Sequence, residues 1–309
     1  MRVCFIGAGS IGKRHIRNLS EVCKNREISL EITLLRATQR PLPDDIIKLV
    51  DNTIHSFEEL SGKYDAIFIT NPTYLHYETI KKTLVYTDCF FIEKPVFDNT
   101  SYDLSFLDIG KRFYVACPLR YTSVLLEAKK VIDAEKVLSV RAISSSYLPD
   151  WRPGQDYRET YSAHKDQGGG VRIDLIHEWD YLLSFFGTPK KIYSFSGKYS
   201  DLEIDSEDIA TYIAQYNDKI IELHLDYFGR YTRRSVEVRT MKHEYIFDIA
   251  NATVSIDGCI VKKFDEMPND KYMREMEYFL ELVQGKKKST NTIEMAVKSI
   301  QIAEGTNEK

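Results

Sequence analysis

The chain has 309 residues, with 42 Lys or Arg against 46 Asp or Glu and a formal charge of -4. That length allows two domains of ordinary size, and a slightly acidic chain exerts no long-range pull on a polyanion, which argues against nucleic acid as a partner. The opening MRVCFIGAG has no basic and apolar leader, no apolar run approaches the ~20 residues of a membrane span, and the five cysteines are scattered without a C-x-x-C pair. A cytoplasmic protein without membrane contact, disulfide framework or metal is therefore expected.

In chain order, RVCFIG, EITLLR, AIFIT, CFFIEKP and RFYVACP read as short buried strands. The segments between them carry helical periodicity, as with Ile16, Leu19 and Cys23, or YLHYETIKKTLVY after the third strand. Strands alternating with helices build a doubly wound parallel sheet, an α/β Rossmann domain expected over residues 1–118. After residue 118 the texture changes to longer alternating strands: LSVRAISSSY, KKIYSFSGK, IATYIAQY, IIELHLDYF, RSVEVRT and HEYIFDI. In the fourth of these, Ile221, Leu223, Leu225 and Tyr227 point one way and Glu222, His224 and Asp226 the other, the mark of a half-covered sheet. An α+β domain with an open, largely antiparallel sheet is expected over 119–309, closed by helices at KYMREMEYFLELVQGKKK and TIEMAVKSIQIAEG.

Residues 7–12 read GAGSIG between the first strand and the first helix. A G-x-G-x-x-G there suits a dinucleotide: Gly7 permits the turn, Gly9 admits the pyrophosphate, and Gly12 packs helix against strand beneath a positive helix end. Gly7, Gly9, Ser10, Ile11 and Gly12 are the candidate cradle. Ribose hydroxyls of NAD are normally held by an acid at the end of the second strand. Here that strand ends on Arg36, with Thr38 and Arg40 behind it. A guanidinium suits a 2′-phosphate and offers no acceptor to a hydroxyl, so NADP is expected over NAD.

GAGSIGKRH, ITNPTYLH at 69–76, FIEKP at 91–95, PLRY at 118–121 and GGGVRIDLIHEWDYLLSFFG at 168–187 occur in one order along nearly the whole chain. Together they resemble the Gfo/Idh/MocA family of oxidoreductases. The resemblance implies a Rossmann domain, an α+β domain for substrate binding and oligomerisation, and nicotinamide hydride transfer to or from a sugar or polyol. It implies that Asn71, Pro72, His76, Glu93 and Lys94 serve the cofactor side, and that Arg120 helps close the site. A lysine at a strand end facing the ligand crevice can donate to the substrate oxygen and favour an alkoxide-like state, which makes Lys94 a candidate catalytic and substrate-binding residue. Pro95 fixes the turn and suits a cis bond.

In the glycine-rich motif, His177 follows Asp174 by less than one turn and precedes Asp180 by the same interval. The three are expected on one helical face, with His177 as acid/base and Asp174 as its orienter or a substrate ligand. The family pattern more often has three residues between this Asp and His; here there are two. The glycines are read as letting backbone pass close to ligand. The preceding loop, YLPDWRPGQDYRETYSAHKDQ, is rich in Tyr, Arg and Asp. It resembles the loops of relatives in surface-polysaccharide and nonulosonic-acid pathways, which implies an acidic or nucleotide-linked sugar, with Tyr161 against it. Alternative readings are a non-catalytic dinucleotide-binding regulator and an NAD-dependent glycoside-cleaving enzyme of the same fold. A dimer or tetramer is implied by the resemblance.

Overall fold

The structure is a computed structural model that describes residues 1–38 and 40–305. The chain forms two compact units, one of residues 1–118 with Asn269–Val297, the other of Leu119–Pro268 with the chain from Lys298 onward.

The first unit is built on six parallel strands: β1 (Arg2–Ile6), β2 (Glu31–Leu35), β3 (Asn52–Ile54), β4 (Ala66–Ile69), β5 (Cys89–Ile92) and β6 (Arg112–Val115), in the order β3-β2-β1-β4-β5-β6. The crossovers hold α1 (Ser10–Asn25), α2 (Asp44–Ile47) and α3 (His76–Thr83). The central strands are buried on both faces and so read as unbroken apolar runs. Register places Phe5, Phe68, Phe91 and Tyr114 side by side across β1, β4, β5 and β6. Phe5 and Phe68 stack with ring centroids 4.2 Å apart, and Phe68 and Phe91 at 5.1 Å. Each buried ring contributes about 2–3 kcal/mol by leaving water.

The lid on this row comes from far along the chain. Helix α7 (Asp270–Val283) sets Phe279 edge-on against Phe68 and Phe91. Its fully buried Glu275 accepts hydrogen bonds from the Cys117 backbone N–H (2.6 Å) and the Tyr114 hydroxyl (3.0 Å), at the end of β6. At its C-terminus Arg112 donates to the Leu282 carbonyl at 2.7 Å, a cation on the negative helix end. By its contacts the segment 269–297 groups with residues 1–118. The apolar stripe Met276, Phe279 and Leu280 is buried within the first unit.

The second unit holds α4 (Ser123–Ala134), α5 (Val171–Asp174) and α6 (His177–Phe186), and the division between the units falls within α8 (Ile293–Ala303), after Val297. Its strands are β7 (Val137–Tyr147), β8 (Lys191–Gly197), β9 (Ile209–Gln215), β10 (Ile220–Asp226), β11 (Phe228–Thr240), β12 (Glu244–Asp248), β13 (Thr253–Ile256) and β14 (Cys259–Lys263). They lie in the order β14-β13-β12-β11-β7-β10-β9-β8, with β7 and β10 parallel and the other pairs antiparallel. Alternation divides the faces as expected: Ile221, Leu223 and Leu225 join a core with Trp179, Tyr181 and Tyr212, while Glu222 faces out and pairs with Arg141 at 2.9 Å. The alternation fails at Asp226. It is buried because the turn into β11 wraps it: Ser145, His224 and the Phe228 and Gly229 N–H groups all bond its carboxylate.

Glu275→Ala is expected to lower unfolding stability by about 3 kcal/mol in urea titration, because it takes the carboxylate acceptor from a buried N–H and a buried hydroxyl. Glu275→Gln, which keeps an acceptor, is expected to cost less. Equal midpoints for wild type and Glu275→Ala would show that α7 is not anchored there.

Candidate functional site

Each glycine of the first motif has a different reason to be there. Gly7 sits at φ +102°, and a Cβ would lie 2.8 Å from the Asn71 backbone nitrogen. Gly12 is packed so tightly that a Cβ would lie 2.7 Å from the Gly7 carbonyl. Gly9, the N-cap of α1, has φ -64° and ψ -174°, a conformation open to any residue, and a Cβ there would meet nothing within 4 Å. The fold requires glycine at 7 and 12 and leaves open space at 9.

That open space belongs to a cleft of about 850 Å³ lined within the first unit by Gly7, Gly9, Ser10 and Ile11 on one side, Arg36, Thr38 and Arg40 at the tip of β2, and Asn71 and Pro72 after β4. The first turn of α1 carries no acidic residue, so its N–H ends face the cleft uncompensated. Asn71 donates through Nδ2 to Thr79 at 2.8 Å, while its Oδ1 is buried with no partner among the described residues. A buried acceptor without a donor on a cleft wall fits a ribose hydroxyl of a dinucleotide. Arg36 differs from expectation: its guanidinium turns back to the carbonyls of Thr38 (2.6 Å) and Arg40 and shapes the loop. Arg40, Lys13 and Lys82 carry the remaining positive charge on the cleft wall.

His76, Glu93 and Lys94 do not line this cleft. His76 is 1 % exposed, and its ring lies between the carbonyls of Asn71 (2.9 Å) and Val96 (3.1 Å), so it serves the loops rather than a ligand. Burial pushes its imidazole below the ordinary range, outweighing the opposing effect of the two carbonyls. Glu93 accepts from the buried His15 at 2.5 Å and from the Lys94 backbone N–H at 3.2 Å. Burial works to raise its carboxyl, but the hydrogen bond and charge of His15, with Lys94, overcome this and hold it below the usual carboxylate range. Lys94 follows, half-buried, with a cis bond to Pro95 and no carboxylate within ion-pairing distance among the described residues. His15 was not singled out in the sequence. Its signal was a polar residue beside Ile16 on the apolar face of α1.

In the second unit, the glycine run is used differently from expectation. A Cβ on Gly169 would lie 2.2 Å from the Tyr161 carbonyl, and one on Gly170 2.4 Å from the Glu207 carboxylate. Protein atoms claim the space at these two positions, while a Cβ on Gly168, at φ +78°, would meet nothing within 4 Å. Asp174, His177 and Asp180 do not share one helix. α5 ends at Asp174, Leu175 departs to φ -97° and ψ 27°, and α6 starts at His177. Asp180 is taken by Arg120, which donates to both carboxylate oxygens at 2.7 Å. Arg120 thus holds α6 in place rather than standing ready for a ligand. Asp174, 7 % exposed, accepts from Tyr227 at 2.6 Å. Burial and then the Asp174 charge push the Tyr161 hydroxyl up, and the same two causes raise Tyr227. Tyr227, like His15, was missed because in the sequence it is one more apolar-face residue of a strand.

Residues 1–104 match the sequence profile described as "Oxidoreductase family, NAD-binding Rossmann fold", and residues 125–245 match the "GFO/IDH/MocA C-terminal domain". A D-xylose dehydrogenase of Paenarthrobacter nicotinovorans is 25% identical over 141 residues, 43% of this chain and 36% of that enzyme, so the match spans well under two thirds of its length. Among solved structures, a myo-inositol 2-dehydrogenase of Lactobacillus plantarum superposes with a TM-score of 0.75 at 21% identity, covering 98% of this chain and 95% of that one. A scyllo-inositol dehydrogenase of Lactobacillus casei, with bound NAD(H) and scyllo-inositol, gives 0.77 at 17% identity, over 99% and 95%. The two profiles together cover most of the sequence, and the chain belongs to the Gfo/Idh/MocA family of oxidoreductases.

Proposed function

We propose that this protein transfers a hydride between a nicotinamide dinucleotide and a secondary alcohol or ketone of a sugar or sugar derivative. The observation that carries the reading is Gly9, a glycine the fold does not need, at a helix N-terminus in a cleft. Gly7, Gly9, Ser10 and Ile11 would hold the diphosphate and Asn71 a ribose. The basic tip of β2, with no acid between Arg36 and Leu42, favours NADP over NAD. The nicotinamide, when bound, accepts or delivers the hydride.

The chain's own residues would do the rest. Lys94 donates a hydrogen bond to the substrate oxygen and stabilises negative charge developing there. Glu93, locked by His15, fixes the backbone N–H from which that side chain starts. In the second unit, His177 exchanges the hydroxyl proton and Asp174 with Tyr161 orients the sugar. Self-association through the open face of the second sheet completes the reading: Tyr193, Phe195 and Ile213 are 59%, 77% and 51% exposed on β8 and β9 beside the Glu222–Arg141 pair.

Fluorescence titration is expected to show NADPH binding more tightly than NADH, and Gly9→Val weakening both more than about tenfold while the melting temperature stays at the wild-type value. Tighter NADH binding removes the NADP assignment, and unchanged affinity in Gly9→Val removes the cradle. In a nicotinamide-linked screen of polyols, aldoses, uronates and nucleotide sugars, Lys94→Met and His177→Ala should each lower turnover about a hundredfold or more. Cofactor affinity should be kept in both. Wild-type turnover in either variant refutes its role. Light scattering should report a dimer or larger at micromolar concentration, and a monomer there would exclude assembly through the sheet.

A further inference from the structure

Asp174 stands on very little local structure. It is the last residue of α5, a single turn, and the backbone leaves the helix at Leu175. One turn of helix has little stability of its own, and an aspartate side chain at its end can rotate unless something holds it. The holder is Tyr227, whose hydroxyl donates to Oδ2 at 2.6 Å.

Tyr227 is placed far more firmly. It extends β10 by one residue, its N–H donating to the Asp208 carbonyl at 2.9 Å on the β9 side and its carbonyl accepting from Leu148 at 2.8 Å on the β7 side. Its side chain is fully buried in the core of the second unit, with the ring edge-on to Trp151 at 5.2 Å. Trp151 is tied in turn, through Nε1 to the Ser146 hydroxyl at 2.9 Å. The phenol oxygen therefore sits on the sheet and not on the loop that it steadies.

An ionised carboxylate offers about four acceptor sites, and Tyr227 takes one. Asp174 keeps 7 % of its surface, and Tyr161, beside the same carboxylate, is 42 % exposed, so this carboxylate is reached from solvent as well as from the core. An acceptor-only group in that place takes a hydroxyl and repels an anion. His177 opens a different helix, α6, so α5 does not set Asp174 and His177 on one face.

We propose that Tyr227 is a positioning residue: by holding Oδ2 it aims the remaining acceptor sites of Asp174 at a hydroxyl of the sugar, which makes Asp174 a substrate ligand and not the orienter of His177. The inference rests on the oxidoreductase reading and assigns a neutral hydroxyl to this part of the substrate. The two residues lie 53 apart in the sequence, and only the fold joins them.

The test is steady-state kinetics of the full chain with the sugar that it turns over fastest, together with urea unfolding. Tyr227→Phe, which removes only the hydroxyl, is expected to raise the KM for the sugar about tenfold while kcat and the cofactor KM stay within about twofold of wild type. In an Asp174→Asn background the same change should add little, because the two residues act as one unit. Tyr212→Phe is the structural control: Tyr212 is 2 % exposed and its hydroxyl donates to the Ala303 carbonyl at 2.7 Å. It should lower the urea midpoint comparably and leave the sugar KM alone. An unchanged sugar KM in Tyr227→Phe, an equal rise in Tyr212→Phe, or effects of Tyr227→Phe and Asp174→Asn that simply add would overturn the role. So would a fall in kcat at constant KM, the signature of an orienter of the acid/base. If Tyr227→Phe does not fold, Asp174→Asn alone must show the raised sugar KM at wild-type kcat, and its absence overturns the role equally. Wild-type protein that turns over no sugar removes the oxidoreductase reading and this role with it; an active wild type whose sugar KM ignores the Tyr227 hydroxyl removes this role alone.

Discussion

The first unit depends on one line of aromatic rings. Phe5, Phe68, Phe91 and Tyr114 stand abreast on four parallel strands, with Phe279 pressed on the middle two. Because the period of a strand is two, a one-residue slip in any member would turn its ring to the other face and replace it with a neighbour of different shape. The row therefore locks the register, and with it the level at which each strand ends. Gly7, Asn71 and Glu93 follow β1, β4 and β5 at that common level. Chemistry that needs them at one edge is thus set by packing in the middle of the sheet.

Much of this was legible in the sequence because buried parallel strands announce themselves as apolar runs and the glycine spacing follows from the turn it makes. The short strands β3, β13 and β14 were not, since three to five residues are too few to show a period. Helix α7 was visible as a helix, but nothing in its stripe says which sheet it covers; Glu275 and Phe279 find their partners only in three dimensions. Asp226 shows the same limit, because a strand pattern cannot foresee that the following turn will fold over its last carboxylate.

At the candidate site the residue types were readable and their commitments were not. Arg36, Arg120 and the glycines at 169 and 170 look in sequence like groups kept for a ligand. In the fold they close a loop, brace a helix and make room for backbone and for Glu207. Conversely, His15 and Tyr227 look like core residues and turn out to hold Glu93 and Asp174. What marks a candidate is the absence of an internal use among the described residues: Gly9 with empty space above it, the Asn71 oxygen without a donor, Lys94 without a carboxylate.

The His76 ring spans two segments, the one leaving β4 at Asn71 and the one leaving β5 through Pro95 to Val96. The neutral ring has a single N–H, so it donates to one of these carbonyls and not to both, and the tautomer sets which segment it holds. A buried ring of this kind keeps that segment packed beside the strand end it follows.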